Sequence, residues 1–124
     1  MKYSVDKQAN YTTMTFQEEN LNSVVAPGLK SELVILHNEG VENLILNLED
    51  VKFVDSSGLS AILTANRLWK DNGHFVLTGI KHPSVTKLIT ISRLDTILTI
   101  IPTVEESVNH IQMGQLDTEL SSEE

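Results

Sequence analysis

Hydrophobic and polar positions change period several times along this chain, and each change predicts an element. Segments 3–8 and 11–16 are rich in strand-forming residues and are separated by Ala9-Asn10, which predicts a tight hairpin. A polar stretch with many capping residues, 17–23, comes next. Leu29, Leu33, Ile35 and Leu36 then follow at roughly helical spacing, with Pro27 near the first turn and Gly40 ending the helix. Residues 44–48 are more apolar than alternating, as in a strand buried on both faces at the centre of a sheet. After Ser57 the positions Leu59, Ile62, Leu63, Leu68 and Trp69 return to a helical period, and Asn72-Gly73 closes that helix. Residues 74–78 form another inner strand. Pro83 opens a short helix with the apolar stripe Val85, Leu88, Ile89 and Ile91. Residues 96–101 form the last strand, stopped by Pro102, and Thr103 caps a final helix with Glu106 three residues later in a capping-box arrangement. The order predicts an α/β fold: a mixed β-sheet with an N-terminal hairpin, later strands parallel and joined by right-handed crossovers, packed with about four helices. From Gln115 to Glu124 the apolar period is lost, which predicts a disordered acidic tail behind a domain of residues 1–114.

Composition narrows the functional classes. A chain of 124 residues with 40% hydrophobic content builds one core and one domain. A net charge of −8 without a basic patch argues against nucleic acid as a partner, because phosphate binding draws on clustered Lys and Arg. The absence of cysteine leaves no disulfide framework and no thiolate chemistry. Asp6 interrupts the place where a signal peptide needs an apolar run, and no apolar segment approaches the roughly 20 residues of a spanning helix. The expectation is a soluble, cytoplasmic protein without membrane insertion.

The candidate chemistry sits at one corner, Asp55-Ser56-Ser57-Gly58, where the strand region hands over to a helix. One reading is local: Asp and Ser side chains accept hydrogen bonds from the unpaired amides of a first turn, worth about 0.5–2 kcal/mol, and Gly58 relaxes the backbone at the turn. Capping does not exclude a function for the two hydroxyls. Other constellations are weaker. His37, His74, His82 and His110 lie far apart and lack the i, i+4 spacing of a helical metal pair, so they read as solvated or structural, and no metal or cofactor is expected. A hydrolase nucleophile at Ser56 would need a base and an oxyanion hole, and the chain has neither a Gly-x-Ser-x-Gly elbow nor a phosphate-cradling Gly-rich loop. Trp69, at helical spacing, reads as core. The protein is not expected to be an enzyme.

Asn47-Leu48-Glu49-Asp50-Val51-Lys52-Phe53-Val54-Asp55-Ser56-Ser57-Gly58-Leu59 resembles the signature of STAS domains of the anti-sigma-factor antagonist type, an apolar strand followed by Asp-Ser-(Ser or Thr)-Gly-Leu. Asp71-Asn72-Gly73-His74-Phe75-Val76-Leu77 resembles the family's glycine-containing turn and strand, and Val85-Thr86-Lys87-Leu88-Ile89 its next helix. The resemblance extends from the hairpin to about residue 113. It implies that Ser56 is phosphorylated by a partner that is both an anti-sigma factor and a serine kinase, with Ser57 as the competing acceptor. It further implies that the dephosphorylated form binds that partner and frees a sigma factor, and that the phosphorylated form lets go. A serine phosphatase then resets the switch, so transcription is regulated by partner switching. The implied docking face holds Asn22, Ser23, Asp55, Ser56, Ser57, Gly58 and Leu59. Two departures bear on partner choice: Glu19-Asn20-Leu21-Asn22 stands where many members have Gly-Glu-Leu-Asp, and Ser92-Arg93-Leu94 stands where Ser-Gly-Leu is common. The competing readings are a STAS accessory subunit on the ATPase of a lipid-type ABC transporter and a small nucleotide hydrolase.

Overall fold

Every residue of the strand Asn43–Asn47 is buried, and the rest of the molecule is built outward from it. In a computed structural model the backbone is described for residues 1–122 and the side chains for residues 1–116. The elements in order are β1 (Tyr3–Lys7), β2 (Thr12–Phe16), β3 (Asn20–Leu21), α1 (Ala26–Asn38), β4 (Asn43–Asn47), β5 (Phe53–Val54), α2 (Ser56–Leu68), β6 (His74–Thr78), α3 (Pro83–Ile91), β7 (Thr99–Ile101) and α4 (Val104–Ser122). The main sheet has the order β1-β2-β4-β6-β7, with β1 and β2 antiparallel and the remaining pairs parallel. This is the mixed sheet with an N-terminal hairpin that the element order predicts.

The two-residue period of a strand divides β4 between two layers. Leu44 and Leu46, with Leu48 just beyond the strand, join Leu29, Leu33 and Leu36 of α1, Ala61, Ile62 and Ala65 of α2, and Val85 and Ile89 of α3 in the main core. Ile45 and Val76 belong to a smaller cluster with Ile111 of α4. Helices α1, α2 and α3 therefore cover one face of the sheet and α4 the other. Trp69 is buried as expected, and its indole N–H donates to the Val41 carbonyl at 2.8 Å, closing the bottom of the α1 and α2 layer. The Glu32 carboxylate accepts from the Tyr3 phenol and raises its pKa above the ordinary tyrosine value, a tie between β1 and α1.

Several boundaries and core positions differ from expectation. Ile35 and Ile91 are 46% and 67% exposed, because each lies just outside the stripe that its helix turns toward the sheet. Helix α2 stops at Leu68, and Gly73, at φ 93°, shapes the turn into β6 rather than the helix end. The last strand is only Thr99–Ile101, since Leu94–Thr96 wind into a single 3-10 turn. Helix α4 runs from Val104 to Ser122, through positions 115–122. Beyond Gly114 that stretch holds no glycine or proline to stop a helix. Residues 123 and 124 lie outside the described residues.

Arg93 is a non-glycine residue in the left-handed region, at φ 60° and ψ 23°, where it joins α3 to the 3-10 turn. That conformation costs an L-residue about 1–2 kcal/mol, which gives a physical reason for glycine to be favoured here. Part of the gain from glycine is lost to its extra freedom in the unfolded chain. We therefore expect Arg93→Gly to raise the free energy of unfolding by roughly 0.5–1 kcal/mol and Arg93→Val to lower it, measured by urea denaturation.

Candidate functional site

Two strands too short to show a period create the site. β3 and β5 pair in parallel as a separate two-stranded sheet, Asn20 with Phe53 and Leu21 with Val54. The pairing is extended by the Lys52 and Phe53 amides, which donate to the Glu19 carbonyl at 2.7 and 3.1 Å, and by the Asp55 amide, which donates to the Leu21 carbonyl at 3.2 Å. The segment before α1 is thereby laid against the segment before α2.

Asp55 locks the two together. It is the N-cap of α2 in extended conformation, and its Oδ1 accepts from the Gly58 amide at 3.0 Å. Its Oδ2 accepts from the Ser23 amide at 3.2 Å, on the other segment. Asn22 shapes that segment: its side-chain oxygen accepts from the Val24 amide at 3.0 Å, and its carbonyl accepts from Val25 and Ala26 as α1 begins. The hydrogen-bonding shape of Asn22 is thus used within its own turn. Ser23 is brought against Asp55 at the start of the 55–59 segment, with Asn22 beside it in the chain.

Asp55 alone supplies the cap. Ser56 and Ser57 occupy the first two helical positions, and neither hydroxyl makes a hydrogen bond among the described residues. Ser56 is exposed and Ser57 half-buried. Gly58 has a different role from the one expected of it. It is absent from the positive-φ residues, so the turn does not need its freedom. A Cβ there would lie 2.3 Å from the Leu21 carbonyl oxygen and 2.8 Å from side-chain carbons of Leu21 and Val54. Gly58 is what lets α2 start directly against β3 and β5.

Ser56 stands between two open pockets. One, of about 670 Å³, runs along α2 past Leu59, Leu63, Arg67 and Lys70 to Ile97. The other, of about 260 Å³, lies between α1 and α2 and includes Ser23, Lys30, Ser57 and Ser60. Sequence reasoning missed two neighbours of this corner. Lys30 donates to the Ser60 hydroxyl at 3.0 Å, and Val24 is 83% exposed immediately after Ser23. Val24 stands next to Val25 and the buried Ala26, so its exposure carries no periodic signal, and nothing in the sequence pairs Lys30 with α2.

The histidines are more connected than their spacing suggests. His74 and His110 are brought edge to face at 6.1 Å between ring centroids, where α4 crosses the start of β6. His37 packs on Trp69 at 5.2 Å, and His82 caps α3 by accepting from the Ser84 amide while lying 5.6 Å from Phe53. None of the four belongs to the Ser56 corner. Among the described residues, no helix is long and apolar enough to cross a membrane.

With this geometry in hand, the sequence matches the STAS domain family over residues 2–107. The fold is similar to that of an anti-sigma factor antagonist from Mycobacterium paratuberculosis, with a TM-score of 0.79 and 20% identity over 90% of this chain and 93% of that one. It is similar to an anti-sigma-factor antagonist (STAS) domain protein from Planctomyces limnophilus, with a TM-score of 0.78 and 18% identity over 89% and 97% of the two chains. It also resembles the Bacillus cell fate determinant SpoIIAA in its phosphorylated form, with a TM-score of 0.67 and 19% identity over 89% and 99%. At these identities the likeness is one of fold.

The close approach at Gly58 inverts a familiar sign. Glycine to alanine inside a helix ordinarily stabilises by about 0.5–1 kcal/mol. Here the added methyl meets a backbone carbonyl at 2.3 Å, so Gly58→Ala is expected to lower stability by roughly 1–3 kcal/mol in thermal or urea unfolding. Stabilisation by this substitution would show that β3 does not hold α2 as described.

Proposed function

The chain belongs to the STAS domain family, and we propose that within it this protein is an anti-sigma-factor antagonist that works by partner switching. Unphosphorylated, it binds an anti-sigma factor that is also a serine kinase and so frees a sigma factor. That partner phosphorylates Ser56 and is released, and a serine phosphatase restores the binding form. The protein is a cytoplasmic binding module and a kinase substrate, not itself a catalyst. Asn22, Ser23 and Leu59 lie on the docking face with the Asp55-Ser56-Ser57-Gly58 corner, and the exposed Val24 adds an apolar contact beside them.

The observation that carries this reading is the Ser56 hydroxyl, exposed and unbonded at the first position of a helix whose cap is already satisfied by Asp55. Support for a phosphorylated state also comes from the similar fold of SpoIIAA, which has one. The physics of the modification suits a switch at an interface. A phosphoserine adds about −1.5 to −2 charges. At a helix N-terminus that charge faces free amides and the positive end of the dipole, which favours the helix by roughly 0.3–1 kcal/mol. Buried unpaired against a partner, the same charge costs several kcal/mol, and about 1.4 kcal/mol is a factor of ten in affinity. The phosphate breaks the contact and spares the fold.

Exposure ranks Ser56 above Ser57 as the acceptor. Intact mass and phosphosite mapping of the protein from its own cells should find one phosphate on Ser56, lost in Ser56→Ala and kept in Ser57→Ala. A Ser56 that is never modified under any growth condition would overturn the phosphorylation switch.

A further inference from the structure

We propose that Lys30 is a built-in counter-ion for a phosphate on Ser56, so that the phosphorylated state is held by a charge pair between α1 and α2. This rests on the reading of Ser56 as the phosphoacceptor. In the unmodified chain the Lys30 ammonium is half-buried and donates to a neutral group, the Ser60 hydroxyl, at 3.0 Å. The ion pairs among the described residues use Lys7, Lys52 and Lys81, so Lys30 has no carboxylate partner. Ser60 lies one turn after Ser56 on the same face of α2, a spacing that puts Cβ atoms about 5–6 Å apart. Ser56, Ser57, Ser60 and Lys30 line a single open pocket of about 260 Å³, and Lys30 is its one charged side chain among the described residues.

A phosphoryl group on Ser56 places oxygens within reach of an ammonium on a flexible four-carbon stem. Lys30 then exchanges a hydroxyl acceptor for a dianion, which makes a shorter and stronger bond. The opposing charge is Asp55, the neighbour of Ser56, whose oxygens accept from the Ser23 and Gly58 amides. Asp55 repels the phosphate, and Lys30 offsets that repulsion. Lys30 is in this sense a positioning residue: it holds the phosphate against α1 and keeps it doubly charged, the form that an apposed partner surface tolerates least.

The test uses the full chain with phosphoserine inserted at position 56 during synthesis, so that no cellular kinase is required. The second ionisation of the phosphate, ordinarily near pH 6, is followed by phosphorus NMR in the wild-type, Lys30→Gln and Lys30→Arg backgrounds. Circular dichroism checks that each variant is folded, and Asp55 is the same in all three. The pairing predicts a wild-type pKa lower than that of Lys30→Gln by about half a unit or more, restored by Lys30→Arg and shrinking in about 1 M salt. Superimposable titrations of wild type and Lys30→Gln would overturn it. Phosphosite mapping in cells is a separate readout. An unmodified Ser56 in cells beside a Lys30-dependent titration would overturn the switch alone, and a phosphorylated Ser56 beside superimposable titrations would overturn the pairing alone.

Discussion

The Asp55 carboxylate is the constraint on which the functional corner depends. Its two oxygens bind amides on opposite sides of a chain crossing, Ser23 before α1 and Gly58 in the first turn of α2. The cap satisfies one helix while fixing the position of another segment. Because the backbone amide of Asp55 is itself tied to Leu21, the residue is held from both its main chain and its side chain. Ser56 follows directly, and so its hydroxyl is presented at a fixed point without making a bond of its own.

That arrangement separates stability from the proposed switch. The main core of α1, α2 and α3 against the sheet lies behind the corner, and Ala61, Ile62 and Ala65 anchor α2 from its second turn onward. A charge added to Ser56 therefore acts on groups at the surface: the free amides of the first turn, Asp55 beside it and Lys30 across the pocket. In a chain of net charge −8, a local cation next to the proposed acceptor matters more than it would on a mixed surface. Regulation by charge at this point needs no rearrangement of the sheet.

Much of this was readable before any coordinates. The hairpin around Ala9-Asn10, the buried strand through Leu44 and Leu46, and the helix opening at Pro83 follow from period and turn chemistry, which act locally. What escaped the sequence depends on contacts between distant segments. The two-residue strands β3 and β5 are too short for any periodic signal, yet they bring Asn22 and Ser23 to Asp55. Gly58 looked like a turn residue, but the reason for it is steric, a carbonyl of Leu21 lying where a side chain would go. Arg93 stood out as a large residue in a glycine position, and its left-handed backbone explains why. Ile35 and Ile91 show the limit of apolar spacing, since each helix buries a narrower stripe than its composition suggests.

The most direct test of the central claim is a paired capture experiment. The unmodified chain and the chain carrying phosphoserine at position 56 are immobilised, exposed to soluble extract from the protein's own cells, and the retained proteins are identified by mass spectrometry. The account predicts that an anti-sigma factor with serine kinase activity is retained by the unmodified chain and lost from the phosphorylated one, while both chains keep the same circular dichroism. Equal retention of that kinase by both chains, or capture of a transporter ATPase in its place, would contradict it.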